Sequence, residues 1–259
     1  MASSRAYSGG VSDSSPSDRA LRALADSIGQ ALPRQSADGA DDDVPVAATV
    51  VIVRDGAGGP EVLMIERPDR GSFAGAWVFP GGKLDPADGD AADETAAARR
   101  AGARETREET GLHLDADALV LLSRWNPPPG IERRIRTWFF VAGDPGGEQA
   151  LAPDEVITAE WVRPAAMLTR HARAEVTLYP PTWVTLHHLA DHPDAEAMIA
   201  AARMGGIPRF ETVARRGADG PMLLWHGDAE YDGDTAAEDA ASRHRLEIAS
   251  LPWIYTRTG

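Results

Sequence analysis

Residues 81–112, GGKLDPADGDAADETAAARRAGARETREETGL, leave the fold of this chain the least freedom. They follow a short apolar strand at 77–79 (WVF) that stops at Pro80-Gly81-Gly82. From Asp93, a suitable N-cap, the segment reads as an Ala-, Arg- and Glu-rich helix to Thr110, ended by Gly111. On that helix Glu105, Glu108 and Glu109 stand at i, i+3 and i+4, so one face carries three carboxylates in its last turns. Like charges at this spacing destabilise an isolated helix by roughly a few tenths of a kcal/mol. Acids at a helix C-terminus also oppose the macrodipole. Arg104, one turn before Glu108, can brace part of the cluster through an i,i+4 pair. A divalent cation with a preference for oxygen ligands, Mg²⁺ or Mn²⁺, is the natural compensation for the rest. A solvated charged helix face is the alternative reading of the three glutamates taken alone.

The surrounding pattern supplies the context. Residues 46–53 (VAATVVIV) are β-branched and apolar like a buried strand, and 62–65 (VLMI) form a second across the turn at 55–60. Strands are expected again at 119–125, 135–141 and 156–162, helices at 183–189 and 195–204, and further strands at 222–225 and 246–254. This order predicts an α/β fold with a mixed sheet covered by helices. Three regions follow: residues 1–43 as a disordered or weakly helical tail, 44–204 as the main domain, and 205–259 as a β extension packed on it. Within the tail, Leu21, Leu24, Ile28 and Leu32 fall on one helical stripe, and a short helix packing on its own domain is favoured over a docking helix.

Composition excludes several classes of function. The 259 residues carry 26 Lys+Arg against 40 Asp+Glu, a formal charge of 26 − 40 = −14, which repels nucleic-acid backbones and anionic membranes. There is no cysteine, hence no disulfide, zinc-thiolate site or thiol nucleophile. No window approaches a membrane span and the N-terminus lacks the apolar core of a secretory signal, so a cytoplasmic location is expected. Phosphate-loop, dinucleotide-fold and serine-hydrolase glycine motifs are absent, and the seven histidines show no metal-binding spacing.

The run Arg104-Glu105-Thr106-Arg107-Glu108-Glu109-Thr110-Gly111-Leu112 after Pro-Gly-Gly resembles the signature of the Nudix hydrolases, G-x5-E-x7-R-E-U-x-E-E-x-G-U, with U a bulky apolar residue. Gly82 opens the motif, and after five intervening residues stands Asp88 in place of the usual glutamate. Fifteen residues separate Asp88 from Arg104 where the motif has seven. This lengthening, the run from Trp77 to Asp88 and the 178–182 segment (LYPPT) resemble the family branch related to peroxisomal acyl-CoA diphosphatases. The resemblance implies an α/β/α sandwich with a mixed sheet, here with an additional C-terminal β element. It implies hydrolysis of a phosphoanhydride in a nucleoside diphosphate linked to another moiety, with CoA or acyl-CoA among the candidates. It also implies Glu105, Glu108 and Glu109 as ligands of Mg²⁺ or Mn²⁺, the Gly81 carbonyl as a further ligand, and Arg104 orienting a glutamate. The general base is one of these glutamates or a loop acid among Asp154, Glu155 and Glu160, of which Glu155 is preferred. Arginines suit phosphate oxygens, and Arg67, Arg134 and Arg136 are the substrate-binding candidates. Trp125 and Trp138 are placed to stack on a base or to pack in the core. The partner is a small nucleotide-containing pyrophosphate, and homodimerisation stays open. The alternative is a Nudix scaffold that binds or regulates without catalysis.

Overall fold

The computed structural model describes residues 44–70, 73–89, 93–131, 134–233 and 241–258, together with residues 22, 24, 26–29 and 31. The expected disorder of residues 1–19 lies outside the described residues. Strand β1 (Val46–Gly56) is central because its run of β-branched residues suits burial on both faces: Ala48, Val50 and Ile52 enter one cluster, Val51 and Val53 the other. Strand β6 (Arg136–Gly143) runs parallel to β1, from Val46 opposite Arg136 to Val53 opposite Gly143. Strand β5 (Val120–Asn126) is antiparallel to β6, and β8 (Arg209–Glu211) extends the sheet in parallel with β5.

On its other side β1 forks. Its C-terminal end turns into β2 (Gly59–Glu66), whereas its N-terminal half pairs with β4 (Gly81–Lys83), Thr49 opposite Gly81. Beyond the fork, β3 (Trp77–Val78) and β7 (Thr158–Val162) both pair with β2. The fork brings Pro80-Gly81-Gly82 against the sheet's central strand, and the Val50 N–H donates to the Pro80 carbonyl at 2.9 Å.

Helix α1 (Glu94–Thr110) covers one face of the sheet. Asp93 caps it, accepting the Ala96 N–H at 3.0 Å, and Gly111 ends it in the left-handed conformation at φ 76°. Its buried side is Ala97, Ala98, Ala101 and Gly102, small residues that let the helix lie close to Ala48 and Val50. The opposite face is covered by α2 (Pro164–Ala172), α3 (Pro180–Leu189) and α4 (Ala195–Met204), which contribute Met167, Val184, Leu186 and Met198 to the core with Val51, Met64 and Phe139. The result is an α/β/α sandwich on a mixed sheet.

An additional antiparallel sheet is formed by β9 (Val213–Gly217), β10 (Gly220–Leu224), β11 (His244–Glu247) and β12 (Ile254–Arg257). The single strand expected at 246–254 is thus two, divided by a segment containing Pro252, which has no N–H for a ladder. Leu223, Trp225, Leu246 and Trp253 join the same core as α2 and α3. So does Ile28 near the N-terminus, at 6% exposure, with Leu24 packed beside it. Helix α2 was not foreseen; Pro164 in its first turn suits a helix start, where the missing N–H costs nothing. No described helix is long and apolar enough to cross a membrane.

Gly102 tests the packing of α1. Alanine is the better helix former by about 1 kcal/mol, but a Cβ at this position would stand 2.9 Å from Val50 Cγ2, on a stiff β-branched side chain. Overpacking of a core costs about 1–3 kcal/mol. Gly102→Ala should therefore lower the urea midpoint; an unchanged or raised midpoint would mean that α1 lifts off the sheet without cost.

Candidate active site

The acidic end of α1 lies beside the fork in β1, and Arg104 organises it. Its Nε and Nη2 donate to the two oxygens of Asp88 at 3.0 and 2.8 Å, and its Nη1 donates to Glu105 at 2.9 Å and Glu108 at 3.0 Å. Nη2 also donates to the Lys83 carbonyl in β4 at 3.1 Å. Asp88 is the buried partner, at 4% exposure, and ends a short 3₁₀ turn in which it and Asp85 cap each other's backbone. The side chain of Arg100 holds the Asp88 carbonyl. Burial pushes the Asp88 carboxyl up, but hydrogen bonding and charge from Arg104 outweigh it, and the pKa lies below the usual carboxylate range.

The lengthened approach is therefore compatible with a working Asp88, whose side chain still reaches Arg104. The additional N-terminal turns of α1 have a role of their own: Glu94 accepts from Arg136 at 2.8 and 3.3 Å and from Trp138 Nε1 at 2.8 Å.

Glu109 is held from the other side of the cluster. It is fully buried; one oxygen pairs with Arg67 at the end of β2, and the other accepts the Gly81 N–H at 2.8 Å. Burial raises its pKa to about 7 against the lowering effects of Gly81 and Arg67, and the charges of Glu105 and Glu155 add to the rise. Glu105 is also raised, mainly by burial. Close approach to the backbone requires glycine at 81, and a side chain at 82 would push the Glu105 carboxylate aside. A Cβ on Gly82 would stand 2.3 Å from the Glu105 carboxyl carbon, and one on Gly81, at φ 154°, would stand 2.2 Å from the Ala48 carbonyl oxygen.

The loop after β6 caps α1 and carries Glu155. Ala150 and Ala152 donate their N–H groups to the Thr110 and Glu109 carbonyls at 2.8 and 3.1 Å, and Glu155 and Val156 turn back onto the Ala152 carbonyl. This turn places a Glu155 carboxylate oxygen with those of Glu105 and Glu109, all within 4.8 Å of one another. Three hard oxygen donors this close, two of them with raised pKa values, suit a divalent cation such as Mg²⁺ or Mn²⁺. Glu108, half exposed, lines the same cleft outside that trio.

Other candidates fall elsewhere. Arg136 and Trp138 project onto the α1 side of the sheet and are bound to Glu94, because alternate residues of β6 face opposite layers, and neither lines the cleft. Arg134 donates to the Pro127 carbonyl at 3.4 Å and is not part of the cleft lining. Arg67 does line the cleft, with its guanidinium on Glu109. Asp154 pairs with Arg70 and Glu160 with Arg170, so neither joins the trio. The cleft, about 990 Å³, runs from Gly81, Gly82, Glu105 and Glu155 towards an apolar arm at Trp125, Phe139 and Leu223. Ile28 from the N-terminal segment lines it as well, which helical spacing alone could not reveal.

The NUDIX domain family model matches residues 44–182, more than half of the chain. The chain belongs to the Nudix family. It is a Nudix-type hydrolase, similar in structure to the NUDIX hydrolase from Alicyclobacillus acidocaldarius, with 26% identity, a TM-score of 0.56 and coverage of 64% of this chain and 97% of the other. It is also similar to the MutT NUDIX hydrolase from Burkholderia pseudomallei, with 25% identity, a TM-score of 0.40 and coverage of 56% and 98%. A third similar structure is an Ap4A hydrolase binary complex from C. elegans, with 23% identity, a TM-score of 0.37 and coverage of 56% and 93%. No curated protein matches the chain.

Two predictions follow from the site. A Glu109 pKa of about 7 in the fold against 4.5 in the open chain means that the folded state binds more protons between those values. Its contribution to stability is fully present below about pH 4.5 and is lost as pH rises through about 7. Burial lowers the His171 and His188 pKa values to about 4, which gives the opposite slope and is common to any Glu109 variant. In metal-free buffer, Glu109→Gln should therefore remove a falling component from the plot of melting temperature against pH; identical slopes would refute the raised pKa. Asp88→Asn leaves Arg104 without its bidentate acid, and the loosened Glu105 and Glu108 should reduce turnover of a family substrate by roughly 10- to 100-fold. Unchanged turnover would show that Asp88 does not position the helix acids.

Proposed function

We propose that this Nudix hydrolase cleaves a phosphoanhydride bond in a nucleoside diphosphate linked to another group, in a reaction dependent on Mg²⁺ or Mn²⁺. The observation that carries the reading is the trio Glu105, Glu109 and Glu155 within 4.8 Å, at one end of a cleft large enough for a nucleotide derivative. Glu105, Glu109 and Glu155 would hold the cation, with Glu108 and the Gly81 carbonyl as further ligands. The bound cation supplies neutralisation of phosphate charge and a more acidic water.

The protein's own residues account for the remaining roles. Glu155 is exposed and sits on a loop, and is the acid proposed to take the proton from the attacking water. Arg104 fixes the orientation of Glu105 and Glu108, and Arg67 holds Glu109 while facing the cleft where a phosphate would lie. The ADP-ribose complex of the Shewanella oneidensis NrtR NUDIX domain and the C. elegans Ap4A hydrolase make both ligand classes sensible members of a test panel. CoA and acyl-CoA belong in it on the sequence resemblance.

The test is product release from ADP-ribose, Ap4A, CoA, an acyl-CoA, NADH and a nucleotide sugar, with Mg²⁺ or Mn²⁺ and with chelator. One substrate class hydrolysed far faster than the rest, and only with metal, is the expected result. Silence across the panel in a folded protein that binds no Mn²⁺ would overturn the proposal in favour of a non-catalytic scaffold. Glu105→Gln should lower turnover by at least about 100-fold. Glu155→Gln should lower it by roughly 10²- to 10⁴-fold and remove the limb of the pH–rate profile that reports the general base. A wild-type profile in Glu155→Gln would return the base to the helix glutamates.

A further inference from the structure

Arg67 and Arg104 approach the carboxylate cluster from different sides and are held very differently. The Arg104 guanidinium donates to Asp88, Glu105, Glu108 and the Lys83 carbonyl, which locks it in place. The Arg67 side chain, among the described residues, has a single polar partner, one oxygen of Glu109. Its main chain is fixed, the N–H donating to the Ala76 carbonyl at 3.0 Å, while its side chain is 26% exposed and lines the cleft. A long side chain anchored at its backbone, tied at its tip to one group and open to a cavity, can be re-aimed by rotamer changes alone.

Glu109 is also the residue that offers an oxygen within 4.8 Å of those of Glu105 and Glu155. Its carboxylate is buried and held from behind by the Gly81 N–H at 2.8 Å, so it meets every partner in this one orientation. Arg67 and a divalent cation at the trio are therefore two positive groups on one carboxylate, in a site partly shielded from water where their repulsion is little screened. A phosphate in the cleft offers the guanidinium a partner of matching charge and geometry.

We infer that Arg67 is an exchange residue: on Glu109 it opposes the binding of a cation to the trio, and it passes to a substrate phosphate when cation and phosphate occupy the site together. Each of the two ligands then eases the binding of the other by drawing the guanidinium off Glu109, and by linkage the effect is reciprocal. An arginine that only braced Glu109 for the cation would act in the opposite sense, because its removal would weaken cation binding. The inference rests on the proposed function in taking Glu109 as a cation ligand; it adds which residue competes for that ligand and what relieves the competition.

The experiment is a cycle of Mn²⁺ affinities for the full chain, read from the paramagnetic resonance of free Mn²⁺, with and without saturating adenosine 5′-monophosphate. It is run at about pH 8.5, to limit a proton taking the place of the guanidinium on Glu109. Without nucleotide, Arg67→Met and Arg67→Gln, which remove the charge with side chains of different polarity, should bind Mn²⁺ roughly tenfold more tightly than the wild type. Arg67→Lys keeps the charge and should stay within about threefold of the wild type. The nucleotide should tighten Mn²⁺ binding to the wild type by roughly tenfold more than to the neutral variants, since direct contact between phosphate and cation is common to all forms. The inference is overturned if the neutral variants bind Mn²⁺ as the wild type does or more weakly, if Arg67→Lys gains as much as they do, if the nucleotide tightens all forms alike, or if no form binds Mn²⁺. The proposed reaction fails separately: a silent hydrolysis panel with the Mn²⁺ pattern intact removes the activity and leaves the exchange, whereas metal-dependent hydrolysis without that pattern removes the exchange alone.

Discussion

Arg104 is the group on which the acidic end of α1 depends. Without it, Asp88, Glu105 and Glu108 would repel one another at the negative end of a helix dipole, partly shielded from water. With it, one planar guanidinium takes Asp88 bidentately and uses its remaining nitrogen on two helix acids, so the carboxylates are fixed rather than splayed into solvent. A lysine could not reproduce this, because an ammonium lacks the rigid fork that addresses Asp88 and the helix face together. The bond from Arg104 to the Lys83 carbonyl also ties the cluster to β4, and through β4 to the central strand.

Glu109 follows a different logic. It is buried, approached by Arg67 and the Gly81 N–H, and yet remains hard to ionise because desolvation exceeds what those partners return. A carboxylate in that condition stabilises the fold poorly by itself and gains most from an additional positive charge. The fork in β1 is what makes the arrangement possible. Pairing with β2 at one end and β4 at the other opens a gap in the sheet, and Gly81 and Gly82 let the backbone pass within reach of both Glu105 and Glu109. Fold and site are therefore coupled at the same two glycines.

Much of this was legible because periodicity and end signals act locally. Asp93 and Gly111 mark both ends of α1, and the i, i+3, i+4 spacing puts the glutamates together without tertiary information. The run at 46–53 likewise declares a strand buried on both faces. The partner of Arg104 was less accessible: Asp88 lies sixteen residues away, and only the 3₁₀ turn at Pro86–Asp88 shows how it reaches back. Clustering of arginines says nothing of which sheet face each takes, whereas the two-residue offset of Arg136 from Trp138 puts both on the side where Glu94 lies. For Arg67, sequence identified a cleft residue but not its bond to Glu109.

The cleft's far wall was the least readable part, for a physical reason. The acidic end sets its carboxylates at fixed separations, which a helix enforces through a narrow set of residues. An apolar wall requires only surface of the right shape, and many residue types in many places can provide it. Here that wall is gathered from Ile28 before the sandwich, Trp125 and Phe139 within it, and Leu223 in the additional sheet after it. The N-terminal segment and the C-terminal β element therefore meet across the same cavity, although no motif links them. The carboxylate cluster is concentrated in one helix and its facing loops, while the apolar lining of the cleft is distributed over segments that sequence pattern treats as appendages.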